Sequence, residues 1–244
     1  MQGRGIFNRS LTCTVFNSRI RPPAIGQAPK ALIAPHAGDV YSGPIAASAY
    51  AQLIPARDIF KRVALLGPSH HVPVDGLTAP SAEAFATPLG LVPVDAQANQ
   101  KLGSLPQVRV LDQAHADEHS LEVQLPFLQI VFSDFTVVPL AVGDASAEQI
   151  SQVLDVLWDG PETRFVISSD LSHYYDANTA RQLDRSTAAA IEALESESIG
   201  KEQACGRIPI RGLRSRTADL RHSGDTGGPR DQVVGYGAFV FGDI

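Results

Sequence analysis

The chain has 244 residues, of which 44% are hydrophobic and 19% charged, and its formal net charge is −6 at pH 7. This composition is typical of a globular protein with a sizeable core, and it excludes disorder as the main state. The acidic balance gives no sign of nucleic-acid binding, and no apolar run reaches the roughly 18 residues of a membrane-spanning helix. Two cysteines are too few for a disulfide framework, so we expect a cytoplasmic setting.

The start of the chain differs in composition from the rest. Residues 1–29 contain several arginines and no aspartate or glutamate. An acid-poor, arginine-rich start is found in transit peptides, but the apolar stretch of a secretory signal is missing. We therefore expect residues 1–29 to form an irregular N-terminal arm and residues 30–244 to form one domain.

Short apolar runs that end at glycine or proline alternate with helical patterns along the rest of the chain. The runs predict strands at 31–34, 62–66, 135–140, 164–167 and 233–241. Helical spacing of apolar residues predicts helices at 43–56, 146–158 and 178–194, and the glycine-rich stretch 221–230 predicts a loop. Continuous apolar runs suit strands buried on both faces. The pattern therefore predicts a single α/β domain with a central, mostly parallel or mixed sheet flanked by helices.

Histidines follow three of the predicted strands. His36 comes after the first strand, His70 and His71 after the second, and His173 follows Asp170 beyond the fourth. A single histidine in such a place is usually a loop residue, but ligands of open α/β sheets bind beyond the carboxyl ends of the strands. Three such positions therefore indicate a shared site, which suits either metal binding or acid–base chemistry.

Two further segments carry residues for this site, each with a structural alternative. Cys205 lies between alanine and glycine, and it is either a small buried residue or a thiolate that acts as ligand or nucleophile. The acidic stretch 117–122 precedes an apolar run, so Asp117 or Ser120 would cap a helix there. Alternatively, Glu118 or His119 would face the site as a base or as the partner of a metal-bound histidine.

Five segments together resemble the signature of one family. They are APHAG at 34–38, LGPSHH at 66–71, DEHSLE at 117–122, SSDLSH at 168–173 and CGRIPI at 205–210. In this order they are similar to the Memo family, which in prokaryotes is called AmmeMemoRadiSam system protein B. The resemblance implies a fold like that of the class III extradiol (LigB-type) dioxygenases, which use non-haem Fe(II) and O₂ to cleave catechol rings.

The resemblance also implies a metal site. Its ligands would be His36, His70 and Cys205, and the metal would be a transition metal ion, iron or copper first and zinc as a further candidate. Three further matched residues would supply acid–base or supporting functions: His119, Asp170 and His173. Ring cleavage does not follow, because a thiolate is softer and more oxidisable than the carboxylate of a two-histidine, one-carboxylate site.

The expected function is a metal-dependent redox enzyme or dioxygenase-like protein acting on a small molecule or a protein. Radical-SAM and AMMECR-type proteins are the implied partners, and neither nucleic acid nor membrane is expected. One alternative is a non-catalytic binding module that captures an anionic or phosphorylated peptide with histidines and Arg207. Another is a zinc-dependent hydrolase. The family's usual first segment has only a faint echo at 21–26, so a misassigned start would also explain residues 1–29.

Overall fold

The computed structural model describes residues 28–158, 160, 162–193, 195–210 and 216–241. In this part of the chain a nine-stranded mixed sheet has helices on both faces, and a small hairpin lies apart from it. The predicted α/β domain with a mixed sheet flanked by helices is therefore confirmed. The predicted arm lies outside the described residues, apart from Ala28 and Pro29, which are buried.

Strands and helices alternate along most of the chain. The strands are β1 (Ala31–Ala34), β2 (Arg62–Pro68), β3 (Leu77–Ala79), β4 (Ala84–Thr87), β5 (Gly90–Pro93), β6 (Val108–Val110), β7 (Thr136–Val142), β8 (Thr163–Ser168), β9 (His173–Tyr175), β10 (Arg216–His222) and β11 (Val233–Phe241). The helices are α1 (Asp39–Tyr50), α2 (Ala96–Leu102), α3 (Gln113–Ala116), α4 (His119–Glu122), α5 (Gln124–Val131), α6 (Ala147–Leu157), α7 (Ala177–Ala193), α8 (Arg207–Ile210) and α9 (Ser223–Thr226). Short 3-10 turns lie at Ala51–Ala56 and Ser196–Ser198.

The strand order sets where the loops meet. The main sheet runs β10-β11-β1-β8-β2-β7-β3-β6, and β9 pairs with β11. The central strands β1, β8, β2 and β7 are parallel, whereas β11 and β3 run antiparallel to their central neighbours. The carboxyl ends of β1, β8 and β2 therefore share one edge of the sheet, where loops commonly carry the ligand site.

The central strands are mostly apolar because both of their faces are covered. In β1, Leu32 packs in a cluster with residues of α1 and α5, while its neighbour Ile33 packs on the other face with residues of α6 and α7. Burying one such side chain contributes about 1.5–3 kcal/mol. Successive side chains of a strand point to opposite faces, so inside three layers both sets are buried. A polar residue there, such as Ser168 of β8, needs hydrogen-bond partners.

Most predicted elements are confirmed, with boundaries that shift by a few residues. The first helix starts at Asp39 rather than at 43, which places an acidic residue in its first turn, where the helix dipole favours it. Helix α6 begins after Ser146, whose side chain forms a capping box with Gln149. The predicted loop at 221–230 was wrong in its first half. There β10 ends at His222 and α9 follows, and β10 escaped prediction because this edge strand has no apolar run.

None of the helices in the described ranges combines the length and the hydropathy that crossing a lipid bilayer would need.

Candidate metal centre

The shared carboxyl edge brings together residues that are far apart in the chain. His36 follows β1, His70 follows β2, and Cys205 lies directly before the loop into α8. One ring nitrogen of each histidine and the sulfur of Cys205 all lie within 4.8 Å of one another. His36 is buried, whereas His70 has 29% of its side chain exposed, so the cluster opens to solvent on one side.

A buried hydrogen-bond network sets the tautomer of His36. The Ser168 hydroxyl donates to the carbonyl of Ser120 at 2.5 Å, so its single proton is used. It accepts from Gln124 Nε2 at 2.8 Å, and its remaining lone pair lies 2.8 Å from His36 Nδ1. Therefore Nδ1 must carry the proton and donate it to Ser168. The Nε2 lone pair of His36 is left available, 3.4 Å from the sulfur of Cys205.

Gln124 itself is fixed by its own partners. Its Oε1 accepts from the hydroxyl of the buried Tyr50 at 2.8 Å, and its Nε2 also donates to the carbonyl of Pro35 at 3.0 Å. None of Tyr50, Gln124 and Ser168 was predicted from the sequence to be a site residue. The available signal was Gln124 at the start of an apolar run, because a buried polar side chain needs partners.

Glu118 fixes the tautomer of His70, as Ser168 fixes that of His36. Its carboxylate accepts from the backbone N–H of His70 at 2.6 Å, from His70 Nδ1 at 2.9 Å and from the backbone N–H of Ser120 at 2.9 Å. Burial alone would raise the pKa of Glu118, but these hydrogen bonds outweigh it and hold the pKa at about 2. The carboxylate is ionised at neutral pH and can only accept, so His70 Nδ1 donates and its Nε2 lone pair is available.

The role of Glu118 resolves two questions about the stretch 117–122. Its side chain caps α4, so the prediction that Asp117 or Ser120 does so was wrong. Glu118 also forms a second possible donor group with His70 and His119. Its side chain is only 1% exposed and already accepts three hydrogen bonds. It is therefore suited to orienting His70 rather than to binding an ion.

Cys205 is held against the end of β8. Its sulfur accepts from the backbone N–H of Asp170 at 3.2 Å, and its own N–H donates to the Asp170 carbonyl at 3.3 Å. A Cβ on Gly206 would lie 2.6 Å from Ser169 Cβ, so glycine permits this close approach. Burial, together with the Asp170 charge, raises the pKa of the Cys205 thiol to about 12. Without a metal ion the group is therefore a thiol at neutral pH.

Asp170 and His119, two of the residues predicted to act as acids or bases, lie beside the cluster. Asp170 is buried, and its Oδ1 accepts from the backbone N–H of His36 at 2.8 Å. Its Oδ2 lies 3.9 Å from His36 Nε2. The ring of His119 stacks on that of His70 with 4.9 Å between centroids and meets His36 edge-on at 5.5 Å. Burial and the neighbouring His70 lower the pKa of His119, so it is neutral at pH 7.

His173, the third of these residues, is placed differently. It lies on β9, opposite Val234 of β11, and its ring contacts that of Tyr174 at 5.8 Å between centroids. In the described part of the chain it belongs to neither of the donor groups. Its acid–base role therefore stays a prediction, without support from the clustering that brings His36, His70 and Cys205 together.

An open cleft leads to the cluster. It has a volume of about 600 Å³, and His70 and Cys205 lie in its wall. Lys201 and Arg207 line the same cleft, together with Asp144. The lining therefore carries an excess of positive charge next to the exposed side of the cluster, which favours anionic molecules there.

Comparisons with known proteins agree with the five quoted segments. The family model described as "Memo-like protein" matches residues 8–240, so the match starts inside the predicted arm. A MEMO1 family protein of Aquifex aeolicus is 34% identical over 233 residues, which are 87% of this chain and 86% of the relative. One of Methanosarcina acetivorans is 36% identical over 234 residues, or 85% and 84%. An uncharacterized protein of Escherichia coli K12, JW3007, shares the fold with a TM-score of 0.56 and 14% identity, covering 84% of this chain and 98% of that one.

Proposed function

This chain belongs to the Memo-like protein family, and from that premise and the donor geometry we propose that it is a metal-dependent redox protein. Its metal would be a transition metal ion, iron or copper first, held by His36, His70 and Cys205. The substrate would be a small molecule or a group on a protein that enters through the open cleft. A cytoplasmic location and radical-SAM and AMMECR-type partners belong to the same proposal.

One observation carries the proposal: the Nδ1 atoms of both His36 and His70 are already hydrogen-bonded to protein groups. Ser168 and Glu118 each accept from an Nδ1–H, so both Nε2 lone pairs are free for a ligand. Metal-binding histidines are usually oriented in this way by a carboxylate or another acceptor. Two imidazoles and one sulfur are also a donor set that suits copper, iron or zinc. The residues present therefore fit a transition metal.

The protein's own groups would do the remaining work. When bound, the metal would supply redox and Lewis-acid chemistry. Asp170, held by the backbone of His36, would accept a proton beside the ligands, and the neutral His119 would exchange protons with solvent at the open side. Lys201 and Arg207 would orient an anionic part of the substrate in the cleft.

Oxygen uptake with catechol as the probe tests the redox proposal. We expect protein loaded with Fe(II) or Cu(I) to consume O₂ faster than both metal-free and zinc-loaded protein, and His70→Ala to abolish the difference. Equal uptake by the three forms would contradict the proposal. Turnover of an ester probe without oxygen and only with zinc would instead identify a hydrolase.

A binding module is the second candidate, and the basic lining of the cleft favours it. Arg207 and Lys201 would pair with the phosphate or carboxylate of a peptide without any metal. Phenyl phosphate binding, measured by calorimetry before and after chelation, separates this candidate from the first. A binding module keeps its affinity in chelator and loses it in Arg207→Gln.

The pH dependence of metal binding follows from the protonation states of two of the donors, His36 and Cys205. Burial lowers the pKa of His36 to about 4, so this ring holds no proton that a metal must displace at neutral pH. The thiol of Cys205, with its pKa of about 12, must lose its proton whenever metal binds. We therefore expect metal affinity to rise about tenfold per pH unit between about pH 6 and about pH 9.

Competition with a chromophoric zinc chelator measures this slope. Cys205→Ser binds more weakly but has no thiol to deprotonate, so its affinity should be nearly flat over the same range. A wild-type slope as flat as that of the variant would show that Cys205 is not a ligand.

A further inference from the structure

A second cavity lies near the metal centre and is distinct from the open cleft. It has a volume of about 170 Å³ and lies between the segment Pro80–Ala86 and the residues of α3 and α4. We call it the α4 pocket, after the helix whose Glu122 lines it. Phe85, Pro80 and four alanines form its apolar walls. Cavities of roughly 150 Å³ with apolar walls accommodate benzene, so the space suits one ring or a short alkyl chain.

The polar part of the α4 pocket carries negative charge. Asp112, Glu118 and Glu122 line it, and neither lysine nor arginine is among its lining residues in the described part of the chain. Two of these carboxylates are already satisfied. Asp112 accepts from the N–H and the hydroxyl of Ser81 at 2.7 and 2.6 Å, and Glu118 holds His70. The pocket therefore has one carboxylate left to offer.

Glu122 is that remaining carboxylate. Its side chain is half-buried, and it makes no hydrogen bond or ion pair with any of the described residues. Burial raises its pKa, because the charged form has lost part of its hydration and has gained no partner in exchange. A cation placed beside it in this partly enclosed space would restore the lost interaction.

His115 also lines the pocket. Its Nε2 lies 3.0 Å from the carbonyl of Thr78, so this nitrogen must carry the proton and donate. Burial lowers the pKa of His115, so the ring is neutral and its Nδ1 is an acceptor, buried and without a partner among the described residues. Because this nitrogen is buried, the acceptor that the pocket offers to a ligand is Glu122, and a fitting ligand brings the donor.

The α4 pocket adjoins the metal centre through a single side chain. Glu118 lines the pocket and also contacts His70 Nδ1 at 2.9 Å. His119, which stacks on His70, lies three residues before Glu122 on the same helical turn, so both project from one side of α4. A molecule in the pocket would therefore be separated from a metal-binding histidine by one carboxylate.

We propose that the α4 pocket binds a small organic amine: an apolar ring or short chain whose ammonium group pairs with Glu122. The binding itself depends only on the shape and charge of the pocket.

Benzylamine and its neutral analogue benzyl alcohol are the probes, titrated into the whole protein by calorimetry. We expect benzylamine to bind at least about tenfold more tightly, as one charge-assisted hydrogen bond in a partly buried site provides. Glu122→Gln should remove this preference. Ala84→Leu, which fills the pocket and keeps its charge, should weaken both probes. Glu83→Gln, a nearby exposed carboxylate outside the lining, is the matched control and should change neither.

Equal affinity for the two probes, or a preference that survives in Glu122→Gln, would overturn the proposal. The titrations are run on metal-free and on metal-loaded protein, so that failure of the pocket proposal can be distinguished from failure of the metal-centre proposal. If the protein binds benzylamine but takes up no metal, the pocket proposal stands and the metal-centre proposal is contradicted. If it takes up metal but does not bind benzylamine, the metal-centre proposal stands and the pocket proposal is contradicted.

Discussion

Replacing Cys205 by serine, or His70 by alanine, is expected to remove nearly all transition metal from the protein. Loss of a residue that merely orients a ligand already costs about 10–100-fold in metal affinity, so loss of a ligand costs more. Metal content, measured by mass spectrometry after anaerobic purification with iron or copper supplied, should fall from about one ion per chain to a small fraction of that.

The neighbouring His71 provides the matched control. It is exposed, adjacent to His70 in the chain and absent from both donor groups of the described residues. His71→Ala should therefore keep its metal. His173→Ala should also keep it, because His173 belongs to neither donor group among the described residues. Wild-type protein without metal, after supply of Fe(II), Cu(I) and Zn(II), would contradict the metal centre and leave the anion-binding module as the better hypothesis.

Replacing Glu118 by glutamine is expected to cost about 3 kcal/mol of stability at neutral pH and about 10–100-fold in metal affinity. Three donors point at this carboxylate, two of them backbone N–H groups and the third the Nδ1–H of His70. A glutamine offers one oxygen in place of two and directs its own NH₂ group at a donor. At least one buried N–H is then left without an acceptor.

The effect depends on pH with a definite sign. The hydrogen bonds lower the pKa of Glu118 from 4.5 to about 2 on folding. The stability they provide is present above pH 4.5 and is lost as the pH falls toward 2. Urea unfolding of wild type and variant should therefore show a difference that is constant near neutrality and narrows in acid.

Glu122→Gln is the control for this experiment, because it makes the same change on the same helix. Burial raises the pKa of Glu122, so ionisation of that side chain costs stability and its removal should not destabilise the protein. Similar losses of unfolding free energy in both variants would show that α4 tolerates no substitution, which would contradict the specific role of Glu118.

Much of the fold follows from local patterns along the chain. The strands at 31–34 and 62–66 were predictable because a three-layer architecture favours apolar residues on both faces of its central strands, which gives short continuous apolar runs. Helix α6 was predictable because its apolar residues recur with helical spacing and a capping serine precedes them. The edge strands β6 and β10, and the three-residue strand β3 beside β6, were missed because they are short or polar and depend on their neighbours for pairing.

The residues that make up the candidate centre could also be predicted from the sequence. His36, His70, His119, Asp170 and Cys205 were all named from their motifs, and parallel strands carry most of them to one edge of the sheet. Their roles as ligands and bases stay predictions. The family signature named them without indicating which neighbour orients each ring.

Those partners depend on contacts between distant parts of the chain. His70 meets Glu118 across 48 residues, His36 meets Ser168 across 132, and Cys205 meets His36 across 169. No periodicity relates positions so far apart, so the tautomers of both histidines and the high pKa of Cys205 were invisible in the sequence. These properties arise only when folding buries the polar groups. Burial then requires each N–H to find an acceptor, and it removes the water that would stabilise the charged thiolate.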